Sequence, residues 1–278
     1  MIHFTEYEID SLIEEDLPYF DLTTDSLGIG NIDAVMTFTA REDLIVSCSE
    51  EVARILRKVG VHYVEIVSSG KSLKRGEVIV KAEGKAGSLH RAWKVCQNIL
   101  EYACGIATYT NLMVKEAGSV PLFTTRKSQP GFKKIALKSV MSGGAHPHRL
   151  GLSETFLIFK NHRNLLDEKV LLKRIRELQK SSMAEKQIAV EVDSFEDALT
   201  FAKIGVCLFQ LEKFPVKTLL KVVSILKENY PDIRLFATGG IKLENVKEYA
   251  TAGVDGVITT APFYYANPAD IKVNIETI

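Results

Sequence analysis

IAVEVDSFEDALTFAKIGVCLFQLEKFPVKTLLKVVSILKENYPDIRLFATGG, residues 188–240, contains three short apolar runs: IAVEVD (188–193), VCLFQLE (206–212) and IRLFATGG (233–240). Between the last two lies VKTLLKVVSILKENY (216–230), whose apolar residues recur at helical spacing. Continuously apolar strands alternating with amphipathic helices make a parallel sheet covered by helices. Outward from this stretch, VPLFTT (120–125), TFLIF (155–159) and GVITTA (256–261) repeat the strand signature, and EKVLLKRIRELQ (168–179) and LENVKEYATAG (243–253) the helical one. The polar residues choose between an open sheet and a closed one. Arg126 and Lys127, Lys160 and Asn161, Glu191 and Asp193, Glu212, Thr238-Gly239-Gly240, and Thr259 and Thr260 each lie at the C-terminal end of a run. An open sheet would gather such residues at one crevice, whereas contributions from every strand to one rim are the property of a barrel. Residues 118–278 are therefore expected to form a C-terminal α/β barrel.

Residues 1–117 read differently. A helical spacing around Thr5 to Glu15 is followed by DAVMTFTA (33–40), LIVSCS (44–49), YVEIVSSG (63–70) and EVIVKAEG (77–84), all strand-like, and then by a long apolar helical pattern from Ser88 to about Gly118. The expectation is an N-terminal mixed α/β, sandwich-like domain that includes the long connecting helix. A C-terminal tail returning to it is a further option.

Composition narrows the function classes. The chain has 278 residues, 46% of them hydrophobic, with 35 Lys plus Arg against 35 Asp plus Glu. A zero net charge argues against nucleic-acid and membrane partners, and no apolar run approaches the roughly 20 residues of a bilayer span. The acidic opening MIHFTEYEID is unlike a signal peptide. A cytoplasmic protein is expected, with Cys48, Cys96, Cys104 and Cys207 read as buried reduced thiols. Charge is uneven locally: Arg126 to Arg163 holds eight Lys/Arg and three His against one acid, Glu154. That excess suits an anionic ligand.

Several residues carry candidate chemistry. In TTRKSQPG (124–131) the planar fork of Arg126 and the compact charge of Lys127 suit a multiply charged anion, the alternative being a solvated basic turn. SGGAHPHRLGLSE (142–154) sets two glycines before His146, His148 and Arg149; with no thiolate or carboxylate to complete a zinc spacing, His148 and Arg149 read as anion binders. Glu191 and Glu212 close two apolar strands, where a carboxylate needs a cation or hydroxyls. They suit Mg²⁺, sugar hydroxyls or a developing positive charge. FATGGI (236–241) and DGVITTA (255–261) offer Thr238, Gly239, Gly240, Thr259 and Thr260 as a phosphate cradle. Together these features suggest transfer or rearrangement on a phosphorylated sugar.

EEDLPYFDLTT (14–24), NILEYACGIAT (98–108), TTRKSQPGFKKIALKSVMSGGAHPHRLGL (124–152), LIFKNH (157–162), AVEVDS (189–194), QLEKF (210–214) and FATGGI, in this order, resemble the motifs of quinolinate phosphoribosyltransferases. WKVCQNILEYACGIAT (93–108) and HPHRLGLSETFLIF (146–159) look more like the family's ModD branch, named for its association with molybdenum transport. The resemblance implies a homodimer whose active site receives a basic residue from the partner, and a reaction in which quinolinate and phosphoribosyl pyrophosphate give nicotinate mononucleotide, pyrophosphate and CO₂. It implies that Arg126, Lys127, His148 and Arg149 grip the acid and neighbouring phosphates. Glu191 and Glu212 would act at the ribose and its Mg²⁺-bound pyrophosphate, with Lys127 also in the catalytic group. Thr238, Gly239, Gly240, Thr259 and Thr260 would hold the 5′-phosphate.

The chain departs from the family pattern at four positions. The long-helix arginine falls on Lys94, which would complete the partner's site, and the lysine before Asn-His falls on Phe159, with Lys160 one residue away. Glu212 replaces an aspartate, and Thr260 stands at a glycine position. A phosphoribosyltransferase for quinolinate or a related aromatic or heterocyclic acid is expected. The alternative is a non-catalytic or regulatory oxyanion- or nucleotide-binding protein linked to molybdenum use.

Overall fold

A computed structural model of the chain describes residues 2–278. They divide into two compact units, whose boundaries differ from a single division at residue 118. One unit comprises the chain up to Asn111 together with Ser128–Ala145 and Pro262–Ile278; the other comprises Leu112–Lys127 and His146–Ala261.

The first unit begins with the helix Glu6–Glu14, started by a capping box in which Thr5 and Glu8 satisfy each other's backbone N–H groups. Its sheet is antiparallel, in the order Ile271–Thr277, Asp33–Ala40, Val78–Lys85, Tyr63–Ile66. The alternation in DAVMTFTA turns Ala34, Met36, Phe38 and Ala40 inward, where they join the buried side chains of the helices Ser49–Lys58 and Ala86–Ala117 in one core. LIVSCS supplies only the two-residue strand Leu44–Ile45.

The helix Lys133–Ser142 also belongs to this unit, which breaks up the basic run seen in the sequence. Lys134 donates to Glu8 at 2.7 Å, and Lys138 is buried between Glu50, at 2.8 Å, and Glu51. These charges hold the fold together and are not part of an anion site. Cys48, Cys96 and Cys104 are buried and unpaired, as expected, but Cys207, just before the strand Leu208–Glu212, is exposed.

The second unit is built on a parallel seven-stranded sheet that curls into a half-barrel. Its order is His146–Pro147, Leu122–Thr124, Gly256–Thr259, Arg234–Thr238, Leu208–Glu212, Ile188–Val192, Phe156–Ile158. The α/β barrel expectation holds in this form; among the described residues no strand pairing joins the two edge strands. Each strand has two unlike faces. Val190, Val192, Phe209, Leu211, Leu235 and Ala237 are almost fully buried on one face. The opposite face carries Glu191, Gln210, Glu212, Phe236 and Thr238. Phe123 and Phe236 meet there edge to face at 5.6 Å, in room left by Gly256, whose added Cβ would lie 2.7 Å from the Phe236 ring.

Candidate active site

The centre of the site follows from strand register. Gln210 lies opposite Glu191 and Glu212 opposite Thr238, so alternation puts both carboxylates and Gln210 on one face at the C-terminal ends of neighbouring strands. Burial, and then the nearby Glu212 and Asp193, push the Glu191 carboxyl above the ordinary carboxylate range, against the opposing pull of Lys127 and Lys213. A carboxylate whose charge is disfavoured by burial and by a neighbouring carboxylate is a place for a cation. Mg²⁺ takes one or two protein carboxylates and otherwise waters and phosphate oxygens, a donor set that Glu191 and Glu212 fit. Among the described residues, this site included, no cluster of three or more His, Cys, Asp or Glu could hold a metal by itself.

The cations come from two neighbouring strand ends. Arg126 and Lys127 follow Leu122–Thr124 and are exposed. Arg149 follows His146–Pro147 and is only 6% exposed, yet its one hydrogen bond is from Nη1 to the Thr155 carbonyl at 3.0 Å, and it has no carboxylate partner among the described residues. Burial, then the charge of Arg126, lower its pKa against the weaker opposing pull of Glu154, which forms no ion pair with it. A buried guanidinium without a counter-ion is costly unless a ligand supplies the negative charge.

His148 has a different part. Its Nε2 lies 3.1 Å from Gln210 Nε2, and burial followed by Arg149 depresses its pKa. With the amide as donor, the ring is neutral with its proton on Nδ1, so His148 is an orienting group that adds no positive charge.

The glycine loop after Arg234–Thr238 has two positive-φ residues, Gly239 at 87° and Gly240 at 73°. A Cβ on Gly239 would lie 2.7 Å from both Glu212 carboxylate oxygens and 2.6 Å from Lys213 Cγ, whereas one on Gly240 would meet nothing within 4 Å. Gly239 therefore seats Glu212, and Gly240 leaves backbone open to a ligand. Thr259 Oγ1 donates to the Ile241 carbonyl at 2.6 Å and accepts from Ala261 N–H at 2.9 Å, so it braces the cradle. Thr260 Oγ1 is 2.9 Å from Thr125 Oγ1, linking the cradle to the segment that leads to Arg126.

The remaining candidates separate. Lys160 starts the short helix Lys160–Arg163 and donates to Asp193 at 2.6 Å. Phe159 precedes it with extended backbone, and its ring stacks on His162. Lys94 belongs to the other unit, where it bonds Gln97 at 3.0 Å and lies 4.3 Å over the Trp93 ring. Sequence reasoning missed Gln210 and Lys213. Gln210 had one usable signal, a polar side chain two residues before Glu212 and hence on the same strand face; Lys213, at φ 57°, had none.

Comparison with known proteins agrees with this fold. Residues 106–274 match the quinolinate phosphoribosyl transferase C-terminal domain and residues 21–104 the corresponding N-terminal domain. The chain is 38% identical to "Putative pyrophosphorylase ModD" of Pasteurella multocida, covering 99% of each. It is 26% identical to a probable nicotinate-nucleotide pyrophosphorylase [carboxylating] of Methanothermobacter thermautotrophicus over 96% of this chain and 98% of that one. Among solved structures, nicotinate-nucleotide pyrophosphorylase from Ehrlichia chaffeensis superposes with a TM-score of 0.88 at 26% identity, over 99% of this chain and all of that one. With both family domains matched in order along one chain, this protein belongs to the quinolinate phosphoribosyl transferase family.

Proposed function

We propose that the chain is a Mg²⁺-dependent phosphoribosyltransferase that joins phosphoribosyl pyrophosphate to an aromatic or heterocyclic acid and releases pyrophosphate. The observation that carries this reading is the buried Arg149, which forms no ion pair among the described residues, in the same unit as Glu212 and the Glu191 carboxyl that Glu212 helps to hold above the ordinary range. Arg126, Lys127 and Arg149 bind phosphate and carboxylate oxygens. The backbone at Gly240, with Thr238 and the braced Thr259–Thr260 segment, receives the 5′-phosphate. Glu191 and Glu212 stabilise the positive charge that develops at the anomeric carbon. Glu191 and Glu212 would also hold Mg²⁺, which when bound would supply positive charge to offset the departing pyrophosphate. No enzyme nucleophile is required.

The proposal includes a homodimer in which Lys94 completes the partner's site, and a cytoplasmic setting that fits the four unpaired thiols. No helix among the described residues is long and apolar enough to cross a membrane. The test is release of pyrophosphate from phosphoribosyl pyrophosphate with Mg²⁺ and a panel of aromatic acids. Arg149→Ala should lower kcat/KM by about 2–5 kcal/mol of transition-state stabilisation. Absence of pyrophosphate with every acid would overturn the reading.

A further inference from the structure

The phosphoribosyl-transfer reading leaves the acceptor open, and the edge strand Phe156–Ile158 bears on it. Leu157 lies opposite Ala189 and Ile158 opposite Val190, so the next residue comes level with Glu191. Phe159 is still extended, at φ −88° and ψ 164°, and continues the face of Leu157, which is the face of Glu191. Its half-buried ring stacks on His162 with centroids 5.8 Å apart and planes 23° from parallel. The His162 Nδ1 accepts from the Phe159 backbone N–H at 3.0 Å, which fixes the orientation of the imidazole. A preformed flat aromatic surface therefore stands beside the carboxylates.

The cations around this corner are already matched. Lys160 is paired with Asp193 at 2.6 Å, Arg163 with Asp197, and Lys213 lies 3.7 Å from Glu212. Arg126, Lys127 and Arg149 form no ion pair among the described residues; they follow strands at the other end of the sheet order from Phe156–Ile158, and the charge of Lys127 acts on Glu191. Phosphoribosyl pyrophosphate brings three phosphates to be neutralised. The corner at Phe159 thus offers a plane and hydrogen-bonding edges, while Lys160 and Arg163, the cations of its own short helix, are already in ion pairs and not free for a second acceptor carboxylate.

We propose that the acceptor is a flat nitrogen heteroaromatic ring carrying no more than one carboxylate, held by stacking on the Phe159–His162 pair, and that Phe159 sets this preference. The ring-nitrogen lone pair forms the bond to the anomeric carbon as the bond to pyrophosphate oxygen breaks, and pyrophosphate leaves with that electron pair. No CO₂ is lost, so a monoacid keeps its carboxylate in the product.

The experiment uses the full chain with Mg²⁺ and phosphoribosyl pyrophosphate, and compares pyridine monocarboxylates with pyridine-2,3-dicarboxylate by pyrophosphate release and product mass. The monoacid should be preferred by about ten-fold or more in kcat/KM, because both acids offer the same ring for stacking and the diacid's second carboxylate meets cations already in ion pairs. Phe159→Leu keeps bulk and removes the plane; it should raise the acceptor KM about ten-fold while the KM for phosphoribosyl pyrophosphate stays within about two-fold. Phe159→Tyr should recover most of that loss, and Phe159→Lys should shift preference toward the dicarboxylate. Preference of the unaltered chain for the dicarboxylate, or an acceptor KM untouched in Phe159→Leu, overturns the inference while leaving the transferase reading intact. Absence of both donor binding by calorimetry and pyrophosphate release overturns both.

Discussion

Glu191 is half-buried beside Glu212 and Asp193, and its carboxyl is held above the ordinary range by burial first and those neighbours next. A carboxylate whose pKa is higher folded than unfolded costs stability once it ionises, and the cost disappears as pH falls through the folded value. Glu191→Gln should therefore melt higher than the unaltered chain at pH 7–8, by no more than about 2–4 °C because solvent screens part of the effect, with the gap closing on acidification. Pyrophosphate release should fall by roughly 10²-fold or more in the same variant. A melting temperature at or below that of the unaltered chain at neutral pH would remove the case for a strained Glu191 carboxylate. Both glutamates were legible as strand-end acids, since a carboxylate there needs a partner. The shared face that makes them one site arises only from strand register, as does the place of Gln210 between them and His148.

At the scale of elements, the strands around IAVEVD, VCLFQLE and IRLFATGG were visible as uninterrupted apolar runs, whereas their order in the sheet is known only from the observed pairing. The helix Lys133–Ser142 was not placed, because its periodicity says that it buries a face but nothing about which sheet it covers. Its destination depends on Lys138 meeting Glu50 and Glu51, which stand 88 and 87 residues away. The glycine loop shows how finely an element can be tuned. Gly239 and Gly240 both have positive φ, so alanine at either strains the backbone by about 1–2 kcal/mol. Only at Gly239 does the added Cβ also strike the Glu212 carboxylate and Lys213. Gly239→Ala and Gly240→Ala should thus share a stability loss of that order, whereas Gly239→Ala alone should also displace Glu212 and cut kcat sharply. Thermal melts paired with pyrophosphate release separate the two effects, and equal kcat losses would contradict the assigned role of Gly239.

For the whole molecule, the chain passes between the two units four times, near residues 111, 127, 145 and 261, so the segment Ser128–Ala145 is bounded at both ends by residues of the second unit. What fixes that segment in the first unit is a buried charge cluster: Lys138, 8% exposed, between Glu50 and the 6%-exposed Glu51, with Ser139 and Ser142 bonded to Ser47. Lys138→Met removes the cation and leaves Glu51 buried beside Glu50, which should cost about 3–5 kcal/mol. Adding Glu51→Gln should return part of this loss, and a double-mutant cycle in urea measures the coupling. Acid acts on the same cluster with a definite sign. Burial raises the Glu50 pKa, but hydrogen bonds from Lys138 and Ser69 outweigh it and lower the value to about 2. A depressed carboxylate contributes stability that is fully present above its unfolded value, near 4.5, and is lost as pH falls toward about 2. The unaltered chain should lose stability across that window, and Lys138→Met, lacking the donor that depresses Glu50, should lose less over the same range. If the two chains lose stability in parallel as pH is lowered, the cluster is not what anchors the Ser128–Ala145 segment.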